Sequence, residues 1–190
     1  MDVYKKFRNP LTGEILKIGY DNYPDNPRKV WDCMGEFLVD ASCRYIDNES
    51  SIKLDFSGKN DDEKTLDNNP DVMAYLPVYV YDHSGACMNT TGFSCPWDSG
   101  QIGWLICTRA GLRRAGYGDW KRITKKRREL IENWLRNEVI TYSAYMSGDV
   151  YGYVIKDAAG NTQDSVWGFY GDDGLQAIRD EYPEFTEEIA

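Results

Sequence analysis

The reactive side chains of this 190-residue chain gather in one stretch, YDHSGACMNTTGFSCPWDSGQIGW, residues 81–104. It holds the only histidine, His83, together with Asp82, Asp98, Cys87, Cys95, Ser84, Ser94 and Ser99. A cysteine nucleophile needs a base that makes thiolate, and His83 is the single imidazole on offer. His83 with Cys95 is therefore the candidate pair, and Asp98 or Asp82 would orient the ring. A serine version would use Ser84, Ser94 or Ser99 with the same histidine. A divalent cation on Asp82 and Asp98 stays open, although the spacing matches no known calcium or magnesium loop. Zinc through thiolates is disfavoured, because Cys87 and Cys95 stand eight residues apart and the chain has one histidine. Against all of these stands a plainer reading, in which polar side chains satisfy the backbone of a long ordered loop. That reading outweighs the others. A recognition surface made by Asp82, His83, Ser84, Trp97, Asp98 and Gln101 ranks next, and catalysis by His83, Cys95 and Asp98 third.

Two strand-like runs must position this loop. AYLPVYVYDH (74–83) precedes it and IGWLICT (102–108) ends it, and if the two pair, the ends of the loop meet. Pro77 then requires an edge position or a strand start. The strongest helix is expected over 124–147, where Leu130, Ile131, Trp134, Leu135, Val139, Tyr142, Tyr145 and Met146 recur at three- and four-residue spacing. Thr124 is its expected N-cap and Gly148 its C-terminal cap. Residues 4–20 read as a hairpin turning at Asn9–Gly13, and DVYGYVIKD with TQDSVWGFYG as a second. VWDCMGEFLVDASCRYI (30–46) is ambiguous between a short helix and a buried strand. GLQAIRDEYPEFTEEIA reads as a short acidic helix broken near Pro183. These elements do not alternate βα. They predict an α+β fold, mainly antiparallel sheet, with the long helix packed on one face and a short C-terminal helix. One domain is expected over 1–190. A polar segment at about 57–71 is the candidate for mobility, with IKLDF (52–56) a short strand before it.

Composition narrows the function classes. The net charge is −9, which repels phosphate backbones and makes direct nucleic-acid binding a poor prospect. The basic cluster Lys121, Arg122, Lys125, Lys126, Arg127 and Arg128 sits at a helix start, where the macrodipole disfavours it. A solvated face, or contact with the acidic tail Glu181, Glu184, Glu187 and Glu188, is the better reading. Five cysteines, no C-x-x-C pair, no leader-like start and no membrane-length apolar run favour reduced thiols in a cytoplasm. In DNYPDNPRK (21–29), Asp21 and Asp25 serve turns better than a cation. The 14 tyrosines, and the glycine–aromatic runs GDVYGY and VWGFYG, favour sheet packing over an aromatic-lined groove. Both phosphate-loop glycine signatures are absent, and no cofactor is expected.

Five motifs together, YPDNPR (23–28), LPVYVYDHSG (76–85), FSCPWDSGQIG (93–103), GDVYGYVI (148–155) and SVWGFYG (165–171), resemble a family of uncharacterised proteins of bacteriophages and mobile elements. The resemblance spans most of the chain apart from 47–71. It carries no established activity and so transfers no catalytic residue. The segment Trp31-Asp32-Cys33-Met34-Gly35 departs from the family's pattern, so no role follows for Cys33, and none follows for Cys43. The resemblance implies a setting, a small phage-type protein inside a bacterial host cell. With the acidic charge and the incomplete catalytic signature, it favours a binding or inhibitory protein acting on a host protein, with anti-defence activity as one form. A small hydrolase built on His83 and a protein that sequesters a small ligand such as a nucleotide are the alternatives.

Overall fold

A computed structural model describes residues 2–83, 85–118, 120 and 122–190; Ser84 and Lys121 lie outside the described residues. In chain order the elements are β1 (Val3–Arg8), β2 (Ile15–Tyr20), α1 (Pro27–Val30), β3 (Gly35–Val39), α2 (Lys59–Asp67), β4 (Val72–Asp82) and β5 (Ala86–Asn89). They continue with β6 (Ser99–Thr108), α3 (Arg109–Arg114), α4 (Lys125–Ser147), β7 (Val150–Lys156), β8 (Thr162–Tyr170), α5 (Gly171–Glu181) and β9 (Glu187–Ile189). Two antiparallel sheets and their helices make an α+β fold. The chain divides into two compact units, residues 1–29 with 144–190, and residues 30–143.

The first unit is a five-stranded sheet in the order β8-β7-β2-β1-β9. The β1–β2 hairpin turns where the sequence predicts, because the Asn9 carboxamide accepts from the amides of Leu11 and Thr12. Alternation in β2 and β7 sends Leu16, Ile18, Tyr151, Tyr153 and Ile155 to one face, where they join Phe7, Ile178 of α5 and Phe185. The tyrosines pack as rings there: Tyr20 lies 5.1 Å from Tyr151, and Tyr153 lies 5.0 Å from Tyr182. Glycine makes room on the opposite face, where a Cβ at Gly152 would strike the Trp167 ring. In the 21–29 segment the Asp21 carboxylate accepts from the Tyr23 amide and the Asn26 carboxamide from the Arg28 amide, the turn chemistry expected of it.

The second unit is a four-stranded sheet in the order β3-β6-β4-β5. β6 is buried without interruption from Gly103 to Thr108 because both faces are covered. On one face α4 supplies Leu135, beside Gly35 and Leu105, and Tyr142, whose ring lies 5.7 Å from Phe37. On the other face Leu66 of α2 closes over Leu38, Trp104 and Ile106, flanked by Ile52, Leu54 and Phe56. The IKLDF segment therefore packs as irregular chain, not as the strand expected. The polar segment after it carries α2, which buries Leu66 and Asp62. The Trp104 indole donates to Asp62 at 3.3 Å and so binds helix to sheet. Pro77 fits because β5 reaches only Tyr79–Asp82, which leaves β4 an edge at the proline.

Thr124 caps α4 as predicted, its hydroxyl accepting from the Arg127 amide at 3.3 Å. Gly148, at φ 79°, closes the helix as the Asp149 amide reaches the Ala144 carbonyl. β3 is an outer strand, yet its free edge is not open. Side chains stand in for a neighbouring strand: Glu138 accepts from the amides of Met34 and Gly35, Glu49 from Phe37, and Asn48 from Val39. The final segment differs from the expected broken helix. α5 ends at Glu181, and beyond Pro183 the chain turns into β9, which pairs with β1. The acidic tail meets the N-terminal strand, Glu188 lying 3.6 Å from Lys5. In the basic cluster, Lys125 lies 3.9 Å from Glu129 and Arg127 stacks on Trp120. Among the described residues no helix is long and apolar enough to cross a membrane.

Candidate functional site

The loop at 83–98 hangs from the sheet of the second unit at a place the sequence identifies. β4 and β6 pair antiparallel with Tyr81 opposite Ser99, so the two ends of the loop do meet. The last rung is a backbone bond, the Asp82 amide donating to the Asp98 carbonyl at 2.9 Å. The interior of the loop is more ordered than a plain connector. Its first part folds back as β5, with Asp82 opposite Ala86 and Tyr81 opposite Cys87. The Met88 amide of β5 donates to the Ser143 hydroxyl of α4 at 2.8 Å. Asn89 shapes the next turn, its carboxamide oxygen accepting from Thr91 and Gly92 while its amide donates to the Gly92 carbonyl. Phe93 then lays its ring 5.6 Å from Tyr81, which brings the chain back over β4.

Three of the predicted residues come together at the mouth of this hairpin. One oxygen of the Asp98 carboxylate lies 3.5 Å from His83 Nδ1 and 3.6 Å from Cys95 Sγ, whose thiol donates to it. The His83 ring stacks on Tyr81 with centroids 6.2 Å apart. Ser99 donates to the Cys95 carbonyl and so fixes the short return from Cys95 to Asp98. The cluster is open to water, with side-chain exposures of 65% for His83 and 39% for Asp98.

The other predicted residues are placed differently. Asp82 turns to Arg44 and Tyr45, which donate to one of its oxygens at 2.7 and 2.9 Å. The Tyr45 hydroxyl, followed by the Asp82 charge, pushes the Arg44 guanidinium above its ordinary range. Gln101 lies within β6, and its amide donates to the Gly103 carbonyl. Trp97, next to the closing rung at Asp98, is 91% exposed. Sequence reasoning misses Arg44 and Tyr45. Their segment has no periodicity, and their partner lies nearly forty residues away, so nothing local signals the contact.

This arrangement constrains the chemistry. A thiolate mechanism needs the imidazole on the thiol and the carboxylate on the far side of the imidazole. Here the carboxylate stands in the middle, taking contacts from both His83 and Cys95. Cys87, opposite Tyr81 across the hairpin, is a poor nucleophile, since burial pushes its thiol up. A cation on Asp82 and Asp98 would have to displace Arg44 from Asp82. Among the described residues no three His, Cys, Asp or Glu side chains form a metal-holding group. What the site does offer is a hydrogen-bonded polar frame beside one exposed indole. Compared with known proteins, the chain matches no family model, no curated protein and no solved structure.

Proposed function

We infer that this protein works by binding another protein through the 83–98 loop, with Trp97 as the anchor. One observation carries the reading: the Trp97 indole is 91% exposed beside a base rung, Asp82 to Asp98, in a loop whose Asn89 turn is hydrogen-bonded as well. Exposing an indole costs apolar hydration, and tryptophan is the residue that most often dominates a binding surface. A frame already ordered before binding spares the entropy of ordering it afterwards. Asp98, His83 and the Arg44–Asp82 pair would form the polar rim around that anchor. In the phage-type setting that the motifs imply, the partner is a bacterial host protein, encountered in the host cytoplasm, and a defence component is the first class to examine.

The test is affinity capture from bacterial lysate with the full chain and with Trp97→Ala, followed by calorimetry on the purified partner. An anchoring indole should account for at least about 2 kcal/mol, roughly a thirtyfold weakening in Trp97→Ala. A partner that binds Trp97→Ala as tightly as the parent would overturn the reading. A thiol hydrolase is the second reading, favoured by the contiguity of Cys95, Asp98 and His83 in an open loop. It requires activity on a thioester or peptide substrate that disappears on alkylation of Cys95, which the binding reading does not.

A further inference from the structure

The two faces of the five-stranded sheet differ in charge. One face carries the apolar cluster with Ile178 of α5, and the carboxylates of Asp164 and Glu188 lie on that side, bonded to Tyr153 and paired with Lys5. The register sends Lys6, Arg8, Lys17 and Lys156 to the other face. Lys6 stands directly opposite Lys17, a like-charge pairing that destabilises a sheet. Lys6 and Lys156 donate to the backbone oxygens of Ala190 and Gly160. Among the described residues none of these four cations pairs with a side-chain carboxylate. Glu187, opposite Arg8, is the one acid that the strand register places on this face. On the same face Trp167 folds its ring over the bare Gly152 backbone and stays 41% exposed. The ring heads a series of rows about 7 Å apart: Lys17 with Lys6 comes next, then Lys156 with Arg8.

We propose that this face binds a single strand of nucleic acid, which stacks a base on Trp167 and sets its phosphates against Lys17, Lys6, Lys156 and Arg8. The net charge of −9 opposes such binding only where it reaches the strand. At physiological ionic strength the field of a surface charge falls away over about 8 Å, so the charge of the face itself decides. That face sets four cations against one carboxylate, which fits a polyanion. The ring narrows the class further. A single strand offers both a charged backbone and bases free to stack on an aromatic side chain. In a duplex the bases are already stacked on one another, and an acidic peptide meets the cations but has no use for the ring. The inference is independent of the Trp97 reading, because every residue it uses lies in the first unit.

The experiment follows the fluorescence anisotropy of labelled oligothymidylate and oligouridylate, each of about twelve nucleotides, titrated with the full chain at about 50 mM salt. Saturable binding of at least one is expected, with a dissociation constant below about 100 μM. A duplex of the same length should bind at least about fivefold more weakly, and polyglutamate should not displace the strand. The logarithm of the affinity should fall with that of the salt concentration at a slope of about −2 to −3, since each neutralised phosphate contributes about −0.7. Lys17→Gln should make that slope shallower by about 0.7. Trp167→Ala should weaken binding at least about fivefold. Should Trp167→Ala not fold, Lys17→Gln decides the matter, because it removes a charge that its neighbour Lys6 already disfavours. Lys126→Gln, in the basic start of α4, should change nothing. Saturation by neither oligonucleotide, equal affinity for the duplex, displacement by polyglutamate, or full affinity in a folded Trp167→Ala overturns the proposal. So does a slope that becomes shallower in Lys126→Gln and not in Lys17→Gln.

Discussion

At the residue scale, two polar contacts of similar length have very different weight. His83 and Asp98 are 3.5 Å apart, but both face water, and an exposed polar contact of this kind is worth at most about 1 kcal/mol. His83→Ala should therefore shift the urea unfolding midpoint little, by under about 1 kcal/mol. A larger loss would make the imidazole a structural support of the loop. The Trp104 indole and Asp62 are 3.3 Å apart and buried. Asp62→Ala leaves the indole N–H without an acceptor inside the second unit, which should cost roughly 1–3 kcal/mol in the same measurement. An Asp62→Ala protein as stable as the parent would mean that the indole finds another acceptor. An acidic residue that matters for packing thus lies in a segment, KNDDEKTLD, that reads as a solvated surface.

At the element scale, what the sequence reveals depends on how far an element's partners lie from it. α4 is legible because its burial follows from its own periodicity: Ile131, Leu135, Val139 and Tyr142 are all buried, and Thr124 and Gly148 mark its ends. The meeting of the loop ends is legible because β4 and β6 are strong strands on their own. α2 is not, since it buries only Asp62 and Leu66 and shows no apolar stripe. β9 is not, because three residues, two of them glutamates, carry no strand signal until β1 is beside them. IKLDF misleads in the opposite direction, for its apolar residues serve the cluster around Trp104 while the edge of β3 is taken by side chains. That edge yields its own prediction. Glu138 accepts the amides of Met34 and Gly35 from across the unit, and bonds to a carboxylate are the stronger kind. Glu138→Ala should lose about 2–3 kcal/mol and speed hydrogen exchange at Gly35 before that of β6. Exchange at Gly35 that stays as slow as in the parent would show that water replaces the carboxylate without loss.

At the scale of the whole molecule, burial of neutral acids sets an alkaline limit. The Cys107 thiol is pushed up to about 12, chiefly by burial and then by the charges of Glu138 and Glu36. The Tyr75 hydroxyl is pushed up to about 12 as well, by burial first and then by Asp67. Burial likewise raises Tyr151, Tyr153 and Tyr170. Unfolding returns each group to its ordinary value, near 8.5 for a thiol and 10 for a phenol. The unfolded chain then binds fewer protons than the folded one above those values, and stability falls as pH rises. The stabilising contribution is complete below about pH 8.5 and is lost progressively up to about pH 12. Urea midpoints measured under reducing conditions should hold level to about pH 8.5 and decline from there. A midpoint constant to about pH 11 would contradict the burial of these groups.

The first unit is built from both ends of the chain, with β2 beside β7 and β1 beside β9. On a ribosome its opening hairpin emerges with Phe7, Leu16 and Ile18 facing nothing. The strands and helix that cover them lie beyond about 110 further residues, some ten seconds of synthesis at roughly 5–20 residues per second. The second unit has no such wait, since residues 30–143 are contiguous and carry their own sheet and most of α4. The order of assembly is thereby written into the connectivity. The inserted unit has all of its sheet in one contiguous segment, while the hairpin that precedes it waits for β7, α5 and β9 to be made.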